Sequence, residues 1–305
     1  MKATPILDRM EAVRKLHDEI RRRQIWTDDG IRLHLRYYGD DRAPCVLMAH
    51  GFGQTQYAWE NTGWQLAAAG WQAVSYDARG HGESDRAPSG EYDFEQFVED
   101  FRRVCDSLPN TPIVIGASMG GLTALLAHSE KPKVDVRAMV LVDIAPRWDE
   151  RGVAAMLAFM RQHPEGFATL DEAKEAVRGF LPHRRRNSNS TSTGLSRNLR
   201  QARNGRWYWH WDPAMLALAE KSSNLQSRLQ SASRRLKIPT LLVAGGMSEL
   251  IGAEHVSEFR KLAPHAETVE VSDAAHMVAG DANDHFLAAI TPFLRRQASQ
   301  GAKAS

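Results

Sequence analysis

The chain of 305 residues has only two cysteines, Cys45 and Cys105, and no clustered cysteines and histidines. This excludes a disulfide framework and gives no sign of a metal site. No apolar run approaches the length of a membrane span, and the first twenty residues lack the apolar core of a signal peptide. The net charge of +2 gives no overall attraction to nucleic acid. These absences predict a soluble, reduced, cytoplasmic protein with neither a nucleic-acid nor a membrane partner.

Apolar segments alternate with helix-like segments through most of the chain. Residues 45–49 are a continuous apolar run, which is typical of a strand covered on both faces, and residues 136–144 and 239–244 are further strand candidates of mainly apolar composition. Such alternation predicts a parallel, doubly wound sheet, in which ligands bind at the carboxyl ends of the strands. Before this region, apolar residues at three- and four-residue steps predict a helix over residues 5–23, and residues 31–37 alternate as in a half-buried edge strand.

Residues 146–237 interrupt the alternation and are predicted to be mainly helical. Residues 147–237 contain 17 Lys and Arg against 8 Asp and Glu, so this insert is basic. Its charge either attracts the more acidic remainder of the chain or attracts anionic substrates, and screening of surface charge favours the first explanation. Arg197, Arg200 and Arg203 are spaced to share a face, either for a substrate carboxylate or as a solvated surface.

The strongest chemical signal lies in residues 113–128. The β-branched run Ile113–Ile115 ends in the pattern Gly116-Ala117-Ser118-Met119-Gly120, and a helix-forming run follows at once. A strand that turns into a helix at Gly-x-Ser-x-Gly is a nucleophile elbow. Glycines two residues before and after the serine let the strand and the helix pass closely. Ser118 is therefore the candidate nucleophile.

Four segments occur in the order found in cap-bearing serine hydrolases of the α/β-hydrolase superfamily, which the chain resembles. They are His50–Gly53, Asp77–Ser84, the elbow, and Asp273–Met277. The resemblance implies a mostly parallel, doubly wound, eight-stranded sheet with an inserted helical cap. The expected divisions are an N-terminal helix (1–24), a core domain in two parts (25–145 and 238–297), the cap (146–237) and a disordered tail (298–305).

The resemblance also implies partners for Ser118. His276 matches the late histidine that acts as the base, and the backbone N–H groups of Phe52 and Met119 match the oxyanion hole. Glu249 follows the strand at 239–244, where the family more often has an aspartate, and is the favoured acid. Asp143, which follows the strand at 138–142, is the alternative acid, with anchoring of the cap hinge as its structural role.

The implied activity is hydrolysis of a carboxylic ester of small or medium size through an acyl-enzyme, with no metal and no organic cofactor. Hydrolysis of a carbon–carbon, lactone or amide bond by the same triad stays open, as does a non-catalytic ligand receptor of this fold. A homodimer is also left open. His50 is expected to bond neighbouring loops rather than to react. Apolar side chains of the cap are expected either to line the substrate cavity or to join the cap to the core: Trp148, Met156, Phe159, Trp207, Trp209 and Trp211.

Overall fold

The computed structural model describes residues 20–180, 193–219, 224–272, 274 and 283–301. A sheet of eight strands forms the centre of the protein, and its strand order is β1-β2-β4-β3-β5-β6-β9-β10. The strands are β1 (Arg21–Trp26), β2 (Arg32–Tyr38), β3 (Cys45–Ala49), β4 (Gln72–Tyr76), β5 (Ile113–Ala117), β6 (Ala138–Val142), β9 (Thr240–Gly245) and β10 (Glu267–Val271).

Strands β3 to β6, β9 and β10 pair in parallel, whereas β1 pairs antiparallel to β2 and β2 antiparallel to β4. Consequently the carboxyl ends of the parallel strands share one edge. The predicted fold class, a mostly parallel eight-stranded sheet with helices between the strands, is confirmed.

Helices cover both faces of this sheet. The described α-helices are α1 (Glu60–Ala68), α2 (Phe94–Asp106), α3 (Met119–Ser129), α4 (Glu150–Arg161), α5 (Leu170–Phe180), α6 (Thr193–Ser196), α7 (Leu225–Arg235), α8 (Ala253–Leu262) and α9 (Asn283–Gly301), of which α4, α5 and α6 lie in the inserted region. Two large apolar clusters lie on opposite sides of the strands: Leu47 of β3 belongs to one, and the next residue, Met48, belongs to the other. This alternation explains why β3 is apolar throughout.

The inserted region is not purely helical. Between α6 and α7 it contains a two-stranded hairpin of β7 (Leu199–Gln201) and β8 (Trp207–Trp209). Its last helix, α7, packs against the core, where Leu229 is fully buried in the same cluster as Leu125 of α3. The region between β6 and β9 therefore returns to the core before residue 237, the predicted end of the cap.

Both predicted chain ends need correction. Arg21–Arg23 were placed at the end of a helix, but they lie in β1 opposite Leu35–Tyr37, so pairing with a distant strand overrides the local periodicity. Helix α9 continues to Gly301, so residues 298–301 are helical rather than part of a disordered tail. Residues 1–19 and 302–305 lie outside the described residues. No helix that the structure describes is long and apolar enough to cross a membrane.

Candidate active site

Ser118 lies at a sharp turn between β5 and α3. Its backbone angles are φ 46° and ψ −121°, a conformation that residues other than glycine rarely adopt. The turn is held from both sides, because the Ser118 N–H donates to the Val142 carbonyl at 3.1 Å and the Ser118 carbonyl accepts from Gly121 N–H at 2.9 Å. Such strain is typical of functional sites.

The glycines around Ser118 have the predicted steric role. A Cβ atom at Gly116 would lie 2.5 Å from the Gly121 Cα, and one at Gly120 would lie 2.6 Å from the Ala49 carbonyl oxygen. Neither position has room for a side chain. The close approach of β5, α3 and β3 therefore depends on these residues.

The loop after β3 lies directly against Ser118. A Cβ atom at Gly51 would be 3.2 Å from the Ser118 Cβ. The loop is a tight turn, in which Gln54 N–H donates to the Gly51 carbonyl at 3.1 Å and the Gln54 Oε1 accepts from Gly51 N–H at 2.9 Å. Phe52 follows Gly51 in this loop, and Met119 opens α3, where an N–H group has no acceptor within the helix. The two predicted oxyanion residues thus lie on neighbouring elements beside the serine.

Two buried histidines support this loop. His50 donates from Nδ1 to the Gly51 carbonyl at 2.8 Å and accepts at Nε2 from Ala78 N–H at 3.0 Å. His81 accepts at Nε2 from Gly53 N–H at 3.1 Å. Burial lowers the pKa of His50 to about 4 and the pKa of His81 well below its usual value, so both rings are neutral near pH 7. His50 therefore bonds two loops, as expected.

Asp143 lies at the carboxyl end of β6, next to the elbow. Ala117 of β5 pairs with Val142 of β6, so Ser118 and Asp143 are each the first residue beyond that pair. Asp143 is fully buried and has a positive φ of 49°. Its carboxylate accepts hydrogen bonds from Gly245 N–H at 2.7 Å and from the Ser248 hydroxyl at 2.6 Å.

Glu249 lies in the loop after β9, but its side chain is exposed. The carbonyl oxygen of Glu249, rather than its carboxylate, faces α4, because a Cβ atom at Gly152 would overlap it. Of the two acids named from the sequence, only Asp143 is held in a fixed, buried position. This geometry favours the alternative acid over the one preferred from the sequence.

His276 and the neighbouring Asp273 lie outside the described residues. The strand before them is described: β10 runs parallel to β9 and ends at Val271, at the same edge of the sheet as Ser118 and Asp143. The role of His276 stays a prediction.

Comparison with known proteins identifies the family of the chain. A sequence model of the alpha/beta hydrolase fold matches residues 44–282. The chain belongs to the α/β-hydrolase family. It is 30% identical over 258 residues to the esterase Rv0045c of Mycobacterium tuberculosis, and the alignment covers 81% of this chain and 80% of that protein. It is 29% identical over 275 residues to the sn-1-specific diacylglycerol lipase ABHD11 of Mus musculus, with 84% and 82% covered.

A solved structure shows the same fold. The crystal structure of E-2-(acetamidomethylene)succinate hydrolase superposes with a TM-score of 0.79 at 24% identity, covering 91% of this chain and all of that one. This superposition agrees with the fold, and the esterase and lipase relatives identify the chain as a hydrolase of the α/β-hydrolase family.

In this α/β-hydrolase the predicted cap residues lie in different places. Trp211 is 2% exposed, and its ring centroid lies 5.8 Å from that of Phe52 in the loop beside Ser118. Phe159 of α4 stacks on Phe180 at 4.4 Å and meets Trp209 edge-on at 6.2 Å. Trp211 therefore reaches the site, while Phe159 and Trp209 form an aromatic cluster within the cap.

The remaining candidates are partly buried. Trp148 packs against the core cluster, and Trp207 pairs through its backbone with Phe167. Met156 is half-buried on α4. Sequence reasoning missed Met160, whose terminal methyl would lie 2.7 Å from a Cβ atom at Gly53. Met160 follows Met156 by four residues, and this spacing places both side chains on the same face of a helix.

Arg197 is used in a contact between the inserted region and the core. It forms an ion pair with Glu60, and its guanidinium lies 5.3 Å from the ring centroid of Tyr57. Arg36 lies 4.5 Å from the same ring. The charge of Arg197 therefore serves this contact, rather than the substrate carboxylate considered from the sequence.

Proposed function

We propose that this hydrolase cleaves carboxylic esters of small or medium size through an acyl-enzyme on Ser118, as a carboxylesterase does. The observation that carries the proposal is the strained conformation of Ser118 with the Gly51–Phe52 backbone packed against it. The esterase and lipase relatives support an ester substrate.

The proposed mechanism begins with His276 taking the Ser118 proton as the oxygen attacks the ester carbonyl. The N–H groups of Phe52 and Met119 stabilise the resulting oxyanion. The alcohol leaves with the proton from His276, and water, deprotonated by the same base, then releases the carboxylic acid. No metal or organic cofactor takes part in this scheme.

We assign the acid of the triad to Asp143. The acid must hold the imidazole in one orientation and stabilise its charged form, which requires a carboxylate that is itself fixed. Asp143 meets this requirement, since it is fully buried and its carboxylate accepts hydrogen bonds from Gly245 N–H and from the Ser248 hydroxyl.

The apolar surroundings favour an uncharged acyl group. Phe52, Trp211 and Met160 meet beside the loop that faces Ser118. Small-ligand sites lined by apolar and aromatic side chains bind through burial of apolar surface. We expect the acyl chain to contact these residues.

The test compares wild type with Ser118→Ala on p-nitrophenyl esters from acetate to dodecanoate, with Ser107→Ala as a matched control. We expect turnover by the wild type and the control, and a loss of at least about 10³-fold in Ser118→Ala. A phosphonate inhibitor should add to Ser118, as read by peptide mass spectrometry.

Activity that survives in Ser118→Ala, or phosphonate attached to another residue, would refute the proposal. If the protein cleaves lactones, amides or carbon–carbon bonds but no esters, the proposed catalytic triad stands and only the type of bond cleaved differs from the proposal. Absence of all turnover with saturable ligand binding would identify a receptor of this fold.

A further inference from the structure

The Gly51–Gly53 loop contains two glycines, one of which, Gly53, has a φ of +75°. Glycine backbone has wider conformational freedom than that of other residues, yet an oxyanion donor must be held in place before the reaction begins. The loop therefore needs support from outside itself. His81, from the segment after β4, contacts it at two points.

The first contact is a hydrogen bond. Gly53 N–H can only donate, so the Nε2 atom of His81, 3.1 Å away, must be an unprotonated acceptor. The Nδ1 atom of the same ring lies 3.0 Å from the Arg79 carbonyl, which can only accept, so Nδ1 carries the proton. One tautomer of a neutral ring satisfies both contacts.

The second contact is aromatic. The rings of His81 and Phe52 meet edge to face, with centroids 5.7 Å apart and an interplanar angle of 85°. A single side chain thus holds the ring of the residue that supplies the oxyanion donor and the backbone of the residue after it. The His50 ring, 4.9 Å from that of His81, holds Gly51 on the other side.

His81 is itself fixed. It is 1% exposed, and its own N–H donates to the Ala78 carbonyl at 3.0 Å. The Arg79 carbonyl accepts the hydrogen bond from His81 Nδ1–H, and the Arg79 guanidinium is fixed by hydrogen bonds of 2.6 to 3.2 Å to Asp29 and Asp100. The support for the loop therefore continues into a buried ion-pair network.

We propose that His81 is a positioning residue of the oxyanion hole, which holds the Phe52 N–H in place through its bond to Gly53 and its contact with the Phe52 ring. This inference rests on the proposed function of Ser118. His81 does not touch the reacting atoms. Its loss should weaken binding of the transition state while leaving binding of the ester itself nearly unchanged.

Two variants separate the hydrogen bond from the ring. His81→Phe keeps an aromatic ring against Phe52 but removes the acceptor, and His81→Gln keeps an acceptor at a similar reach but removes the ring. His128→Gln, which alters a histidine that bonds the Val134 carbonyl at the far end of α3, is the matched control.

We expect His81→Phe to lower kcat about 10- to 100-fold with KM changed less than about twofold, since a shift of an ångström in a positioned group costs about that much. His81→Gln should recover most of this loss. The Ki of a trifluoromethyl ketone, which forms a tetrahedral adduct with the serine, should rise in parallel with the fall in kcat/KM, whereas a planar ketone should bind equally to all variants.

A readout that needs no turnover accompanies the kinetics. Amide hydrogen exchange of the peptide spanning residues 50–55 should be faster in His81→Phe than in wild type, and close to wild type in His81→Gln. Unchanged exchange and unchanged kcat in His81→Phe would overturn the inference. The inference would also be overturned if His81→Phe and His81→Gln lost kcat to the same extent and both had a lower melting temperature, since this would indicate a purely structural residue. Failure of the proposed function appears separately, as activity retained in Ser118→Ala.

Discussion

The carboxylate of Asp143 accepts a hydrogen bond of 2.6 Å from the hydroxyl of Ser248, the residue immediately before Glu249. The loop that carries Glu249 is thus fastened to Asp143, while the Glu249 side chain extends into solvent. The loop after β9 contains Glu249 and contacts Asp143 through Ser248, but of the two candidate acids only Asp143 has a buried carboxylate. This relationship gives the sharpest test of the site.

Asp143→Asn should lower kcat by about 10⁴-fold on the best ester substrate, because an amide in place of the carboxylate favours the wrong imidazole tautomer. Glu249→Gln should stay within about twofold of wild type. Steady-state kinetics at pH 7.5 measures both. The reverse pattern would return the acid to Glu249, and circular dichroism checks that Asp143→Asn keeps its fold.

Gly120→Ala should destabilise the protein by about 1–3 kcal/mol, the usual cost of forcing extra atoms into a packed core. The added methyl would lie 2.6 Å from the Ala49 carbonyl oxygen. Gly179→Ala on α5 is the matched control, since nothing lies within 4 Å of its Cβ position, and it should raise stability by up to about 1 kcal/mol. Urea denaturation gives both values. Equal stability of the two variants would contradict the close approach of β3 and α3.

His50 should make stability depend on pH. Its pKa falls from 6.5 to about 4 on folding, because of burial. The unfolded chain therefore binds a proton below pH 6.5, whereas the folded chain binds it only below about pH 4. The contribution of the neutral His50 ring to the free energy of unfolding is complete above pH 6.5. It is lost as the pH falls from 6.5 to 4, by about 3 kcal/mol in total.

The measurement is the free energy of unfolding in urea at pH 7.5, 6 and 5. His50→Asn, which has no titrating ring, should show a smaller fall than wild type over this interval. If the free energy of unfolding of wild type and of His50→Asn depended identically on pH, the lowered pKa of His50 would be refuted.

Arg197→Ala should lower the free energy of unfolding by about 1 kcal/mol. It removes a partly exposed ion pair with Glu60 and a cation–π contact with Tyr57, each of which is worth about 0.5–1 kcal/mol. A double-mutant cycle with Glu60→Gln separates the ion pair from the ring contact. Additive effects of the two substitutions would show that the residues are not coupled.

The parts of the fold that the sequence predicted are those with a local cause. A continuous apolar run such as Cys45–Ala49 indicates a strand covered on both faces. The glycines around Ser118 indicate a close passage of backbone. Both features appear in the structure as expected.

The features that escaped prediction depend on distant contacts. The strand position of Arg21–Arg23 comes from pairing with β2, which no local pattern encodes. The order of residues along the chain placed Asp143 and Glu249 after suitable strands, but it could not tell which carboxylate would be buried. The contact of Met160 with the loop beside Ser118 likewise depends on how the inserted region folds back over the core.

Among the residues that the structure describes, strand β1 pairs only with β2 and so ends the sheet on one side. An open edge offers its unpaired backbone groups to any other extended chain. Here the first three edge residues, Arg21, Arg22 and Arg23, are all cationic. Charged side chains along an edge strand disfavour its pairing with another extended chain, so we expect these arginines to oppose association of the protein through its own sheet.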